Sequence, residues 1–436
     1  FTFRRDGSST FGEGNRWANF PSVAVGWSFS EEPFIKRLTG GWLNWGKIRG
    51  SYGKSGQTFT SAYLAHGLMN IMDKSFFGKT GITTDKPVSP YLTWEKTRQY
   101  DLGLDMDMFN YRLNVKLDYY YKYTSSLIYD IPIPGSLYAF GAQVENAMEI
   151  SNEGLELELQ ADILRESAVS WRMKFNMARN WNRFEKSYSG KDVVDGDGTL
   201  LVVGRPLNGL YVWAHRGYYN SDAEVPRLYK IDGQEIYFNG VATNGISGAV
   251  GDYRLLDLDG DGNPDSYYAG SPLPLAHGGW VNELMWKNFD LNVLVNFTIG
   301  RKMINNRMGL GFSRQSEDGH LTKLFDYRKL RPWDGVNKKP NAPAWGNSLS
   351  MNTDSAIEKV HHLALKQITL GYNLPDRISK KAGLSGVRFF LTAENLFYLS
   401  NYSGGNPEVV NIYTGRDNGD TYPLPRKYTL GLTLNF

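Results

Sequence analysis

The segment YTLGLTLNF, Tyr428 to Phe436, decides how the chain is read. Tyr428, Leu430, Leu432, Leu434 and Phe436 fall on one parity, and Thr429, Gly431, Thr433 and Asn435 on the other. A strand sends successive side chains to opposite faces, so this segment has one apolar face and one small, polar face. A half-buried strand of a soluble protein alternates in the same way. The meaning of the segment therefore depends on whether the rest of the chain repeats it.

It does. Tyr100, Leu102, Leu104, Met106 and Met108 oppose Asp101, Gly103, Asp105 and Asp107, and after Phe109-Asn110 the residues Tyr111, Leu113, Val115, Leu117 and Tyr119 oppose Arg112, Asn114, Lys116 and Asp118. That pair reads as a tight hairpin. Leu155, Leu157, Leu159, Ala161 and Ile163 alternate with Glu156, Glu158, Gln160 and Asp162; Trp171, Met173, Phe175 and Met177 alternate with Arg172, Lys174 and Asn176. Segments at 23–29, 46–56, 199–204, 209–219, 278–299, 362–375 and 387–399 continue the pattern, giving about fourteen strands. Short connections near 109–110, 164–169, 205–208, 287–289 and 376–385 alternate with long ones near 55–92, 124–150, 220–277, 301–360 and 401–422. Bacterial barrels have short periplasmic turns and long extracellular loops, so the expected fold is an all-β, antiparallel transmembrane β-barrel. The competing reading is a large soluble all-β sandwich or propeller.

Composition agrees with the barrel. Aromatics make up 14% of the 436 residues, with 27 Tyr and 12 Trp, which suits interfacial girdles. Trp17, Trp27, Trp171 and Trp181 read as such anchors. Mean hydropathy is −0.43 and there is no run of roughly 18 apolar residues, so a transmembrane helix is excluded. No cysteine is present, which removes disulfides, zinc thiolates and cysteine nucleophiles. A net charge of +3 points to neither nucleic acid nor a strongly acidic partner. Phe1 is not a natural start, and the chain reads as the C-terminal portion of one barrel domain spanning 1–436. An open sheet edge in lipid leaves backbone groups unpaired, so further strands are expected to complete it.

Several phrases resemble the SusC-like (RagA-like) family of TonB-dependent outer-membrane transporters. They are NRWANFPSVAVGW (15–27) with KIRGSYGKSGQ (47–57), SNEGLELEL (151–159), GDYRLLDLDGDGNPD (251–265), GGWVNELMWKNFDLNV (278–293), ALKQITLGYNLP (364–375), AENLFYLSNYSGGNPEV (393–409) and PRKYTLGLTLNF (425–436). The resemblance covers essentially the whole chain. Gln57 stands where Asn is usual, and Asn406 where Asp is usual. It implies a barrel of about 22 strands with an N-terminal plug, of which this chain supplies about fourteen. It also implies an outer-membrane location in a gram-negative bacterium and uptake of oligosaccharides or peptides driven by TonB through the N-terminal part. A SusD-like surface lipoprotein and the barrel-assembly machinery are the implied partners, besides outer-membrane lipid. Tyr428, Leu430, Leu432, Leu434 and Phe436 then match the terminal strand that serves as the assembly signal. Transport lost, with the barrel kept as a structural component of a larger complex, is the alternative.

Among local motifs, Asp257-Leu-Asp259-Gly-Asp261-Gly-Asn263-Pro-Asp265 is the sharpest. Oxygen ligands at the first, third, fifth and ninth positions, a carbonyl available at Asn263 and a glycine at the sixth resemble a calcium loop. Tyr268 occupies the position of the bidentate Glu, so the expectation is a structural Ca²⁺ outside the barrel wall, against a plain solvated turn. Asp192, Asp195 and Asp197 have poorer spacing and read as a turn. Long-loop aromatics Tyr138, Phe140, Trp333, Trp345, Tyr402 and Tyr413 offer flat faces to a sugar or peptide; Trp345, Tyr402 and Tyr413 are the substrate-binding candidates, against loop packing. His361 and His362 adjoin on an expected strand and so face opposite sides, which reads as a surface role. No catalytic constellation is visible, and the chain is not expected to be an enzyme.

Overall fold

The computed structural model describes the chain except residues 59–64, 66, 85–86, 139, 195–199, 226, 230–234, 238–249, 259–264, 307–330, 337–338, 345–352 and 420. One antiparallel sheet dominates it. Its strands, in chain order, are β1 (Thr2–Gly7), β2 (Trp17–Trp27), β3 (Leu43–Gln57), β4 (Glu95–Met108), β5 (Leu113–Pro132) and β6 (Ala142–Leu164). They continue as β7 (Val169–Lys186), β8 (Ala276–Trp286), β9 (Phe289–Asn305), β10 (Ile357–Asn373), β11 (Gly386–Ser400) and β12 (Lys427–Asn435). Each pairs with the next, and the short segment Arg416–Asp417 adds a parallel pairing to the end of β9.

Register carries the sequence alternation across the wall. Tyr52, Tyr100 and Tyr121 are successive cross-strand partners, as are Ile48, Leu104, Leu117, Leu157 and Met177. Further round, Phe175, Trp280 and Val295 align, then Leu291, Leu370, Leu391 and Leu430. These side chains share one face, and many are exposed there; Leu102, Leu370 and Leu430 are 57%, 47% and 82% accessible. Aromatics mark both ends of that face. Tyr52, Tyr100 and Tyr121 lie toward the long loops, with ring centroids 4.8 and 6.4 Å apart, and Trp286, Phe289 and Tyr372 lie toward the short turns, at 6.1 and 4.7 Å. Two belts flanking an apolar band are the arrangement of a membrane-facing barrel surface.

The opposite face is polar and cross-linked by charge. Arg49 reaches Asp105 at 3.0 Å and Asp118 at 2.5 Å; Arg172 holds Asp162 at 2.6 Å, Lys174 holds Glu283 at 2.7 Å and Arg388 holds Asp290 at 2.5 Å. Gly103, in register between Arg49 and Asp118, makes the first of these possible, because a Cβ there would run into the guanidinium. Many of the charges read from the sequence as the wet parity, among them Asp105, Asp118, Asp162 and Arg172, are therefore paired from strand to strand.

Connections alternate in length. Those at 28–42, 109–112, 165–168, 287–288 and 374–385 share one end, and those at 8–16, 58–94, 133–141, 187–275, 306–356 and 401–426 share the other. Buried apolar clusters sit at the long-connection end: Phe11, Phe20, Leu92, Trp94 and Val144; Met148, Phe184, Val193 and Leu201; Leu210, Val212, Ala269, Ile304 and Ala356; and Met303, Val360, Tyr402 and Val410.

Three expectations change. Among the described residues the wall has twelve consecutive strands rather than about fourteen, because 199–204 and 209–219 are not wall strands. β7 pairs directly with β8, and Leu210–Trp213 instead pairs with Ser266–Gly270 within the connection 187–275. The turn at 205–208 lies inside that connection. Most of 124–150 is not loop, since β5 and β6 run on as a paired ribbon as far as Pro132 and Ala142.

Candidate functional site

The polar face contains a recess of about 640 Å³, lined among others by Lys116, Glu158, Lys174, Asn176, Asn296 and His362. Its floor is low where β8 carries Gly279 on that face, and the Gly279 amide donates to Asn176 Oδ1 at 2.6 Å. Lys116 faces Glu158 at 3.7 Å and Lys174 is held by Glu283, so the lining offers amides and compensated charges. Such a surface exchanges hydrogen bonds with a polar guest without favouring either charge sign.

The rim is built by the connection 401–426, which folds in against β9 and β10. Arg301, 5% accessible, donates to the carbonyls of Pro407 (3.3 Å), Val410 (3.1 Å) and Asn411 (2.9 Å). Glu408, one residue past Pro407, takes Lys366 Nζ at 3.2 Å, lies 3.9 Å from His362 Nε2 and lines the recess. Asn406 caps the short helical turn Pro407–Val409 by accepting from the Glu408 amide at 2.9 Å, a role in which Asn and Asp are interchangeable. Below it, Glu358 accepts from the Ser403 amide at 2.9 Å, and the Asn306 amide donates to Asp417 O at 2.9 Å. Arg301, Lys366 and Glu408 had no individual signal in the sequence; Arg301 only follows Gly300, where the register slips after Thr298. His362 is a buried, recess-lining residue and not a surface one, because its parity faces inward, while His361 points outward.

Of the aromatic candidates, Tyr402 is a packing residue. It is 8% accessible, sits with Met303, Val360 and Val410, and its hydroxyl donates to Asp417 at 2.7 Å, which leaves no face for a ligand. Tyr413 is 74% accessible and its carbonyl accepts from Asn208 at 3.0 Å. Trp345 lies outside the described residues. Trp333 donates to Asn220 at 3.2 Å and packs beside Gly251, and Phe140 is half-buried. The ring of Tyr138 lies outside the described side chains. In the terminal strand, Tyr428, Leu430, Leu432, Leu434 and Phe436 lie on the apolar face, accessible by 42% to 92%.

Asp259, Asp261 and Asn263 of the aspartate motif also lie outside the described residues. Its two ends are brought together: Asp265 accepts from the Leu258 amide at 2.5 Å and donates its own amide to Leu256 O at 2.9 Å. The motif is therefore closed at its base by Asp265, beside a stack of buried tyrosines. Tyr253 lies 5.3 Å from Tyr218, centroid to centroid, and 4.8 Å from His215, which pairs with Asp354. Burial raises the phenols of Tyr218 and Tyr253 above their ordinary value and pushes Tyr211 up to about 12.

A family model described as "TonB dependent receptor-like, beta-barrel" matches residues 1–269. The chain belongs to that family. The receptor is accordingly an outer-membrane β-barrel protein. TonB-dependent receptor P26 of Formosa agariphila is 31% identical over 461 residues, covering 99% of this chain and 44% of that protein. TonB-dependent receptor SusC of Bacteroides thetaiotaomicron is 28% identical, covering 100% of this chain and 42% of that protein. The chain thus spans less than half the length of these relatives. Among solved structures, the RagAB peptide transporter shares the fold, with a TM-score of 0.77, 24% identity and coverage of 100% of this chain and 45% of that one.

Proposed function

We propose that this chain supplies the wall and outer loops of a TonB-dependent importer that takes up oligosaccharides or peptides together with a SusD-like surface lipoprotein. The observation that carries the proposal is the two-sided wall. An apolar face with aromatic belts backs a polar face with paired charges and a recess of about 640 Å³. A lumen with those properties suits a neutral or zwitterionic cargo too large for simple diffusion. The names of SusC and of the RagAB peptide transporter support a nutrient-import role. In this reading Tyr413 faces cargo or lipoprotein, TonB acts through the rest of the full-length protein, and the apolar face of β12 ending in Phe436 is read by the barrel-assembly machinery. The aspartate motif holds a structural Ca²⁺, supplied with carboxylates by Asp257 and Asp265 at its closed base and by Asp259 and Asp261 between them.

The test is uptake by the full-length protein, with and without its TonB-interacting segment, across oligosaccharide and peptide pools. Loss of uptake of one pool on deletion supports import and identifies the cargo class. Unchanged uptake of every pool, with the protein still in the outer membrane, refutes import and favours a barrel kept as a structural component.

A further inference from the structure

We infer that the outer wall carries a binding site for a phosphorylated lipid headgroup, formed by Lys54 of β3 and by Arg98 and Lys96 of β4, immediately above the tyrosine belt. The inference rests on reading the apolar face as lipid-facing. Ile48, Leu104 and Leu117 form one cross-strand row of that face. Four residues further toward the long loops, about 14 Å along the strands, come Tyr52, Tyr100 and Tyr121. One pleat beyond them is the row Lys54, Arg98 and Tyr123, and Lys96 stands one pleat higher again.

Lys54 and Arg98 are direct cross-strand partners and share a face, and both are exposed. Like charges placed opposite each other repel, and hydrocarbon lies on the membrane side of them. Neither they nor Lys96 makes an ion pair with a carboxylate among the described residues. Next to Arg98, Tyr123 donates its hydroxyl to Glu149, which also lies 3.9 Å from Lys186, so that carboxylate is already engaged. Two rows below, Tyr119 donates upward to Glu153 of the tyrosine-belt row at 3.0 Å. On β3 and β4, three cations within two successive rows thus stand without a carboxylate among the described residues. They sit at the height of the outer headgroups, beside tyrosine rings that fix the depth of the wall in the bilayer.

A phosphate monoester bridging the guanidinium of Arg98 and the ammonium of Lys54 relieves their repulsion and accepts charge-assisted hydrogen bonds from both. Lys96 adds a third cation above it. The lipid chains then lie over Tyr100, Leu102 and Leu104.

The test uses the full-length receptor in phosphatidylcholine vesicles. This chain has no cysteine, so with any cysteine elsewhere in the full-length receptor replaced by serine, Leu102→Cys gives a single labelling position beneath the site. Quenching of a fluorophore there by brominated phosphatidic acid, relative to brominated phosphatidylcholine, reads the local preference for a phosphate headgroup. Each cation contributes about five-fold, so wild type prefers phosphatidic acid about thirty-fold through Lys54 and Arg98. Arg98→Gln loses about five-fold, and Lys54→Gln with Arg98→Gln loses about thirty-fold, leaving only the pull of Lys96. Lys122→Gln, at similar height on the polar face, leaves it unchanged. Equal quenching by both lipids in wild type, or an unchanged preference in the double variant, overturns the site. Displacement of the lipid by millimolar inorganic phosphate overturns the assignment to a headgroup. Failure of either brominated lipid to quench overturns instead the lipid-facing reading of the wall.

Discussion

Replacing Arg301 by Met should release the 401–426 connection from the wall without unfolding the sheet. The guanidinium is 5% accessible and serves three carbonyls, of Pro407, Val410 and Asn411, at 2.9 to 3.3 Å. A hydrogen bond from a charged donor contributes about 1.5–3 kcal/mol, and the three share one side chain, so their sum is less than additive. Methionine fills much of the volume but leaves those carbonyls without their donor. A loss of about 3 kcal/mol in the opening free energy of the connection follows, or roughly 150-fold faster exchange. Arg301→Lys keeps the charge and loses the fork, and should fall near ten-fold. Hydrogen exchange on the receptor in detergent reads this directly. The amides of Glu408 and Gly415, bonded to Asn406 Oδ1 and Asn411 O at 2.9 Å each, should lose protection, as should those of Ile304 and Asn306, bonded to Gly415 O and Asp417 O. The β11–β12 ladder should not change. Unaltered exchange in 408–417, or an equal rise in the ladder, refutes the argument, the first because the clamp does not hold and the second because the damage is global.

Three further outcomes are expected. Tyr211 has its phenol raised to about 12 by burial, while the unfolded value is about 10. Its neutral form is favoured by folding, so its contribution is complete below about pH 10 and is lost as pH rises through about 12. Absorbance titration at alkaline pH should show late-ionising phenols, and Tyr211→Phe should remove one of them. At pH 8 it should leave the melting temperature equal or slightly higher, because the Tyr211 hydroxyl is buried with no partner among the described residues. Calcium at millimolar concentration should raise the melting temperature and protect 253–268 from proteolysis, with magnesium much weaker; Asp257→Asn with Asp265→Asn should abolish the difference, and no calcium response in wild type removes the metal from the proposal. Gly431→Leu should destabilise the closing hairpin by about 1–3 kcal/mol, because the end of the Phe390 ring occupies the place that a Cβ on that glycine would take. Urea denaturation of the refolded barrel would show it, and wild-type stability would mean that the ring has room to turn away.

Much of the wall was legible because a membrane strand needs only one property, an apolar parity, and the chain writes it plainly at Leu113 to Tyr119 or Leu155 to Ile163. The same property misplaced 199–204 and 209–219. Leu210 and Val212 alternate as a wall strand does, yet they are 4% and 1% accessible and pack on Ala269 and Ile304 above the barrel. Period alone does not say whether an apolar face meets lipid or another loop. The span 124–150 reads as a loop because the apolar parity lapses there, but once clear of the membrane a paired ribbon has no need of an apolar face. Tyr402 looked like a presented aromatic because Gly and Asn surround it. Its burial depends on Met303 and Val360, far away in sequence. Arg301 escaped notice for the same reason, since its partners are carbonyls, which carry no side-chain signature.

The strand-to-strand pairing of Arg49 with Asp105 and Asp118, Arg172 with Asp162, Lys174 with Glu283 and Arg388 with Asp290 has a consequence for anything that moves along the inner wall. Closely spaced opposite charges present dipoles, whose potential dies away over a few ångströms, instead of a net field reaching across the lumen. A passing body meets a landscape of shallow, local wells and no long-range trap, so it is neither drawn to the wall nor repelled from it. In the proposed importer, cargo passing such a surface would slide, with its pace set by shape and hydration and little affected by the ionic strength outside.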